Sequence, residues 1–333
     1  MRNLPSGPAG FLVGVLAMAL LTGCASPQQS AGGAGASSAA TPVRGGTFEH
    51  GVVGSEPASL DPMRGIGEQY PYNRLLEFRT DYYEDTTLIP SLLESWSVSP
   101  DGKKYTLKVR QGVRWQNIAP VNGRPFTAED VVWNLNTWKE KSIYASSLKV
   151  VDQVRAVDPQ TVEVTVSQAT APFVPQTLGN PLMPMLAKEV YEPDGKFSNK
   201  IVGTGWMIFD RWEKGTSLSY KANPDYWQKG TDGKSLPYID GWVTRVIGSE
   251  PAMAAAFRAG QLDLLGGQGG VLKDNFDALK RDIPDLKSED GERANIRFLE
   301  FNYGVKPLDN LAVRQAMCSA LSQADIIKLA VDN

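Results

Sequence analysis

The spacing of apolar and polar residues predicts short strands along much of the chain after residue 44. Residues 45–53 alternate between apolar and polar side chains, which is typical of a strand with one buried face. Three more pairs of alternating segments, each joined by a turn rich in polar residues, Gly or Pro, predict hairpins over residues 96–109, 154–166 and 206–220. Hairpins therefore dominate the first half of the predicted body.

Apolar residues at intervals of three to four positions predict helices between and after these hairpins. One helix is expected to begin after Thr127, because Asp130 follows three residues later and can complete a capping box. A helix near the end of the sequence is expected to begin at Asn310. The residues predicted on its inward face are Val313, Met317 and Ala320. The chain therefore combines α and β elements.

The first 43 residues predict an export signal and a flexible linker. Ala9–Leu21 is an uncharged stretch behind Arg2 that is too short to cross a bilayer but suits a signal peptide. It leads into Leu21-Thr22-Gly23-Cys24, which resembles the bacterial lipobox; an ordinary secretory cleavage site with an incidental Cys is the alternative. We assign residues 1–24 to a lipoprotein signal peptide with lipid attachment at Cys24. Residues 25–43 are small and uncharged, which predicts a flexible linker.

Composition excludes several classes of protein. The 333 residues contain 34 Lys and Arg against 37 Asp and Glu, a formal net charge of −3, so no basic field for nucleic acid is expected. His50 is the one histidine, and Cys24 and Cys318 are the two cysteines, which argues against multi-His zinc catalysis and Cys-rich zinc frameworks. We expect no cofactor and no metal. Once Cys24 is lipidated, Cys318 has no partner, and its helical setting predicts a buried small apolar side chain.

Ten short motifs occur in a fixed order along the body. They are Ser59–Pro62, Leu88–Trp96, Ser99–Arg110, Phe126–Val131, Ile201–Gly205, Asn223–Trp227, Pro237–Asp240, Ala259–Asp263, Phe301–Asn302 and Val313–Ala316. Each motif alone is weak, but together and in this order the chain resembles the extracellular solute-binding proteins, family 5, of peptide- and nickel-type ABC importers.

This resemblance implies a mixed α/β, periplasmic-binding-protein-like fold with two lobes. Residues 44–300 would form the first lobe, with 44–63 and 197–300 as its core subdomain and 64–196 as an inserted subdomain. Residues 301–333 would begin the second lobe, which is largely missing from this sequence. We therefore expect a truncated gene model or a fragment.

The resemblance also implies a function. The protein would be the substrate-binding component of an ABC importer, capturing an oligopeptide, a dipeptide or a similar solute and delivering it to the permease and its ATPases. We expect a non-enzymatic monomer, lipid-anchored to the membrane and facing the periplasm or the cell exterior. The cargo stays open between a peptide, a nickel chelate, haem and an oligosaccharide, because one scaffold serves them all.

The candidate ligand-contacting residues fall into three groups. The strand predicted over Val52–Glu56 is flanked by glycines and could let another backbone approach, or its glycines could merely relieve strain. Its candidates are Val53, Gly54, Ser55 and Glu56. The second group lies near a hinge-side strand and the cleft wall, and its aromatic members could instead belong to the core: Tyr70, Tyr72, Thr204, Gly205 and Trp206. The third group lies at the crossing into the second lobe and consists of Asn302, for which a hinge role is favoured, and Tyr303.

Two other classes of function fit parts of the sequence. Ser146-Ser147-Leu148-Lys149 matches the S-x-x-K motif of penicillin-binding-type serine acylases, but the accompanying S-D-N and K-T-G motifs are absent from the sequence. A structural lipoprotein without a transport role requires only the lipid tether and a globular body.

Overall fold

The computed structural model describes residues 41–54, 56–64, 70–78, 87–191, 197–266, 271–288, 300–322 and 324–326. Residues Pro42–Asn333 group into one unit. The division of residues 44–300 into a core and an inserted subdomain, and the start of a second lobe at residue 301, stay predictions.

A five-stranded mixed sheet holds strands that are far apart in sequence. Its members are β1 (Thr47–Val53), β8 (Met207–Glu213), β9 (Ser217–Ala222), β10 (Gly241–Ile247) and β11 (Leu264–Leu265). The strand order is β11-β1-β10-β9-β8. β1 runs parallel to both of its neighbours, and β10, β9 and β8 are antiparallel to one another. The predicted hairpin over residues 206–220 is confirmed as the β8–β9 pair.

Helix α2 (Glu250–Arg258) covers one face of this sheet beside Gly51. A Cβ atom built on Gly51 would lie 2.7 Å from a methyl carbon of Leu262 and 3.2 Å from the Cγ of Met253. Met253 and Leu262 are both buried. A glycine in the middle of β1 therefore lets the helical layer approach the sheet closely.

A four-stranded antiparallel sheet forms most of the core together with one long helix. Its strands are β4 (Leu93–Val98), β5 (Lys104–Val109), β6 (Val151–Asp158) and β7 (Thr161–Val166), in the order β4-β5-β7-β6. Both predicted hairpins of this region are confirmed. Helix α1 (Ala128–Lys141) contacts β6 and β7. The apolar face predicted for α1 is buried in full: Val131, Leu135 and Trp138.

The beginning of α1 is fixed by a capping box and by an ion-pair network. Thr127 and Asp130 form the predicted capping box. The Arg124 guanidinium contacts the Asp130 carboxylate at 2.7 Å and the Glu189 carboxylate at 2.5 Å. Because Asp130 is buried, this pairing compensates a carboxylate that would otherwise be costly to remove from water.

The remaining regular elements are short. They are the β2–β3 pair (Leu76–Phe78 and Leu88–Pro90), the 3₁₀ turns Pro62–Arg64, Ala145–Leu148 and Lys188–Val190, the π turn Val174–Leu178, and helices α3 (Lys273–Asp282) and α4 (Leu311–Ser319).

The predicted burial of α4 is wrong. None of its residues is buried, and Met317, expected on the inward face, is 40% exposed. Cys318 is also exposed, against the prediction of a buried thiol. The predicted helix itself is confirmed, but in the described part of the chain no other element covers it.

A tightly packed junction joins residues 203–207 to residues 70–72. A Cβ atom on Gly203 would overlap the carbonyl oxygen of Pro71, and one on Gly205 would overlap that of Tyr70. The Gly205 amide donates to the Pro71 carbonyl at 2.9 Å. Only glycine allows the two backbones to approach this closely.

Gln116 connects this junction to the segment between β5 and α1. Its side chain is fully buried. Its amide nitrogen lies 2.8–3.3 Å from three carbonyl oxygens, those of Pro71, Gly205 and Met207. Its amide oxygen accepts from the Gly203 amide at 3.2 Å. One side chain therefore satisfies backbone groups from both segments of the junction.

Gly203→Ala tests the junction directly. We expect this variant to lower the free energy of unfolding by about 3 kcal/mol, because the new methyl group meets backbone atoms that cannot move aside easily. Gly248→Ala is the matched control, since the space around Gly248 is open, and it should change the free energy by less than about 1 kcal/mol. Urea unfolding of both variants measures the difference. Equal stability of the two variants would contradict this packing.

Candidate functional site

The face of the five-stranded sheet opposite α2 carries a row of aromatic residues. The strand register places Phe209 opposite Tyr220, Tyr220 opposite Trp242, and Trp242 opposite Phe48. The rings of Phe48 and Trp242 stack with centroids 4.8 Å apart. Tyr220 is buried, but the other three are only half-buried. This face therefore keeps apolar ring area accessible.

Tyr70 and Trp206 lie against this row from outside the sheet. The Tyr70 ring is 5.1 Å from Trp242 and 5.5 Å from Trp206, and Trp206 meets Trp242 edge-to-face at 6.1 Å. Such tilted and edge-to-face contacts are favourable for aromatic rings. We name the half-buried set Phe48, Tyr70, Trp206 and Trp242 the aromatic surface.

Three predicted site residues lie within two positions of Tyr70 or Trp206 in the sequence. Tyr72, Thr204 and Gly205 are all buried. The Thr204 hydroxyl donates to Asn73 Oδ1 at 3.2 Å, and the side-chain amide of Asn223 donates to the Gly205 carbonyl at 2.9 Å. The structure thus brings the predicted wall and hinge-side residues into one cluster. Their contact with a solute stays a prediction.

A second group of predicted residues lies at the carboxyl end of β1. The strand predicted to reach Glu56 ends at Val53, because Gly54 turns the chain with φ of +61°. Glu56 Oε1 accepts hydrogen bonds from Trp212 Nε1 at 2.6 Å and from the Gly215 amide at 2.8 Å. Glu56 therefore fastens the loop after β1 to the β8–β9 turn. Ser55 lies outside the described residues.

The two groups occupy opposite ends of the same strand. Phe48 and Val53 are five residues apart on β1, which corresponds to about 17 Å at roughly 3.3 Å per residue. Val53 and Gly54 are exposed. By strand alternation Val53 shares the face of Gly51, opposite to Phe48, so a ligand that contacts both groups must span this length of β1 and pass the end of the strand.

His50 lies between the two groups, and the sequence did not suggest it as a site residue. It shares the face of Phe48 because side chains two positions apart on a strand point the same way. Its ring is 5.6 Å from that of Trp242, and its Nδ1 is buried with no hydrogen-bond partner among the described residues. Burial lowers the pKa of His50, and a hydrogen bond to the Gly266 backbone only partly offsets this.

Asn302 and Tyr303 form a separate local arrangement before α4. Asn302 Oδ1 accepts from the Gly304 amide at 3.0 Å, and the Arg314 guanidinium lies 4.6 Å from the Tyr303 ring centre. Tyr303 is 65% exposed. No hydrogen bond or ring contact of the described residues joins this pair to either of the other two groups.

The S-x-x-K segment does not assemble a nucleophile and a base. Ser146, on the turn Ala145–Leu148, and Lys149, directly after it, are exposed. The Lys149 backbone amide donates to the Ser146 carbonyl at 3.4 Å, but within the described part of the chain no hydrogen bond joins the Ser146 hydroxyl to the Lys149 amine. Ser147 instead donates its hydroxyl to the Tyr144 carbonyl at 2.9 Å. An acylase would require the paired arrangement.

In the described ranges of the chain, His, Cys, Asp and Glu form no cluster of three or more that could hold a metal ion. In the same ranges, no helix combines the length and the apolar character needed to span a membrane.

The comparison with protein families decides the assignment. Residues 87–333 match the family model described as bacterial extracellular solute-binding proteins, family 5. The chain belongs to this family. The predicted membership is therefore confirmed, and the matched family consists of solute-binding proteins rather than enzymes.

Curated relatives of this family 5 protein are named for different solutes. This chain is 28% identical over 302 residues to di/tripeptide-binding protein 1 of Pseudomonas aeruginosa, and the aligned region covers 81% of this chain and 53% of that protein. It is also 28% identical over 283 residues to heme-binding protein A of Haemophilus influenzae, covering 78% and 49%. The chain spans about half the length of the curated relatives it matches.

A solved structure supports the predicted fold class. The solute-binding protein MoaA of A. tumefaciens R10, in complex with mannopinic acid, superposes with a TM-score of 0.73 at 24% identity, covering 85% of this chain and 56% of that one. The mixed α/β, periplasmic-binding-protein-like fold is therefore confirmed.

His50 gives a direct test of this site, because the chain contains one histidine. We expect the NMR titration of its ring proton in the folded protein to give a pKa below the ordinary value of about 6.5. The folded state then binds the proton more weakly than the unfolded state. The free energy of unfolding therefore decreases as pH falls below that ordinary value.

The same titration in urea is the control, and it should return the ordinary value. A folded-state pKa at or above the urea value would contradict the burial of His50 beside Trp242.

Proposed function

We propose that this family 5 protein is the substrate-binding component of an ABC importer. It captures a short peptide or a similar solute outside the cytoplasmic membrane and delivers it, as a monomer, to the permease. The family match over residues 87–333 carries the proposal. The names of relatives such as di/tripeptide-binding protein 1 support a peptide as the solute.

The aromatic surface is the proposed contact for the solute. Its rings offer rigid apolar area at little cost in side-chain entropy, as binding sites for small solutes commonly do. The four members, Phe48, Tyr70, Trp206 and Trp242, are half-buried, so their rings are held in place but still accessible. The hydrogen bond from the Gly205 amide to the Pro71 carbonyl holds together the backbones that carry Trp206 and Tyr70.

The carboxyl end of β1 is the proposed contact for the backbone of a peptide. Gly54 has open space where a Cβ would lie, and its neighbour Val53 is exposed. Extended peptides are held largely by main-chain hydrogen bonds, which require that the two backbones can approach each other closely. A peptide lying along β1 would therefore reach from the aromatic surface toward Gly54 and Glu56.

Solute capture is proposed to use two lobes. In the predicted arrangement the solute lies between this surface and a second lobe, with Asn302 and Tyr303 at the crossing between them. Closure would be driven by contacts that the solute makes only in the closed state.

Binding of a pool of di- and tripeptides to the full 333-residue chain tests this proposal. We expect peptide to raise the melting temperature, because a ligand that binds only the folded state stabilises it. Trp206→Ala should weaken peptide affinity at least tenfold by calorimetry, since it removes one wall of the aromatic surface. Trp96→Ala is the control, because Trp96 is also half-buried but lies on β4 of the other sheet.

Peptides that leave the melting temperature unchanged would count against the proposed function. An equal loss of affinity in the Trp206 and Trp96 variants would count against the aromatic surface as the contact.

We propose further that the protein is held at the membrane by a lipid on Cys24. The support is the segment Leu21–Cys24 at the end of an apolar stretch, followed by the uncharged residues 25–43. A linker of this composition reaches about 24 Å, enough to hold the folded body just off the bilayer.

Phase partition in a detergent that separates on warming tests the anchor. The protein purified from bacterial membranes should enter the detergent phase, and Cys24→Ser should move it to the aqueous phase or leave it unprocessed. Cys318→Ser is the matched control and should behave like the natural chain, because Cys318 lies on the exposed face of α4. Detergent partition that is unchanged in the Cys24 variant would disprove lipidation at this residue.

A further inference from the structure

Three surface cavities meet around the turn that follows β5, and no member of the aromatic surface lines them. The largest is about 760 Å³ and lies between this turn, residues 110–114, and the loop 224–235. The other two are about 570 and 400 Å³, and Gln111 lines all three. None of the predicted solute-contacting residues lines any of these three cavities. The largest is within the usual size of pockets for small molecules.

Arg110 is a rigidly held cation in the wall of the largest cavity. Its Nε donates to the Ser91 carbonyl at 2.6 Å, and its Nη2 lies 3.4 Å from the Leu93 carbonyl. Its guanidinium lies over the Trp227 ring, 4.8 Å from the ring centre. The third nitrogen, Nη1, has no partner among the described residues. Such positioning reduces the side-chain entropy that a ligand would have to remove.

Arg114 and Lys229 bring two more cations to the same cavity. Arg114 is exposed and forms no hydrogen bond or ion pair with any residue that the structure describes. The Lys229 ammonium is held by Ser235 Oγ at 2.8 Å. An arginine without an intramolecular partner keeps its planar set of donors available for a ligand.

The acidic residues of the cavity do not neutralise these cations. Glu94 and Asp225 line it as well, so the local balance is 3 − 2 = +1 in a chain whose net charge is −3. Glu94 Oε1 already accepts from the Gln111 backbone amide at 3.2 Å. The cavity is therefore a locally positive site on an acidic protein.

We propose that this cavity binds a small organic carboxylate, at a site separate from the aromatic surface. The guanidinium groups match the planar two-oxygen geometry of a carboxylate, and such charge-assisted hydrogen bonds are about twice as strong as neutral ones. Amide side chains at the same cavity supply further hydrogen-bonding groups: Gln111, Asn117 and Asn122. The proposal stands independently of the function proposed for the aromatic surface.

Calorimetry of the full chain with citrate, and separately with inorganic phosphate, tests the site. We expect saturable citrate binding that Arg114→Gln weakens at least tenfold. Lys229→Gln should weaken it in the same direction. Arg281→Gln is the matched control, because it removes an exposed arginine on α3 and should leave citrate affinity unchanged. Melting curves of all variants check that they are folded.

Any of the following results would overturn the proposal. Citrate that does not bind, or that binds Arg114→Gln and the natural chain equally, would exclude this cavity as the site. Phosphate binding as tightly as citrate would exclude selectivity for a carboxylate. Peptide binding measured on the same variants separates the two sites, since Arg114→Gln should leave it unchanged.

Discussion

The backbone contact between residues 203–205 and residues 70–72 is the constraint on which the rest of the structure depends. Two glycines remove the side chains that would keep the segments apart, and the buried Gln116 amide satisfies the backbone groups that meet there. In a buried setting, an unsatisfied carbonyl or amide costs about 1–3 kcal/mol. The contact therefore fixes the position of the backbone at the start of β8 and at Tyr70.

This contact has consequences for the exposed face of the five-stranded sheet. Trp206 follows Gly205 directly and Tyr70 precedes Pro71, so anchoring these backbones fixes both rings beside Trp242. On the opposite face, α2 covers the central part of β1, which Gly51 allows to approach. One face of the same sheet is thus partly covered by a helix, while the other presents ordered aromatic rings. A rigid aromatic wall of this kind is suited to bind a solute without first being reorganised.

Local patterns in the sequence predict much of the fold. The three hairpins and α1 follow the expected bounds closely, because alternation, turn residues and the capping box act over a few residues. The predicted end of β1 is wrong by three residues, since the turn at Gly54 depends on its left-handed φ. The predicted burial of α4 is also wrong. An apolar stripe indicates that a helix face is covered, but it does not identify the element that covers it.

The candidate site is less accessible from sequence, because it depends on contacts between distant segments. The parallel pairing of β1 with β10 places Phe48 beside Trp242, almost 200 residues later, and no local pattern indicates this register. His50 could have been noticed from its spacing to Phe48 on one strand. In the sequence, Gln116 is indistinguishable from an ordinary polar loop residue. Its hydrogen bonds to the backbone of both segments of the junction are evident only in the structure.

Fluorine NMR of fluorotryptophan-labelled protein during titration with a dipeptide that the chain binds tests the central claim most directly. The chain has eight tryptophans, which single Trp→Phe variants can assign. If the aromatic surface receives the solute, the resonances of Trp206 and Trp242 shift in a saturable way, while those of Trp96 and Trp133 stay unchanged. Saturable binding that leaves Trp206 and Trp242 unshifted would contradict the account.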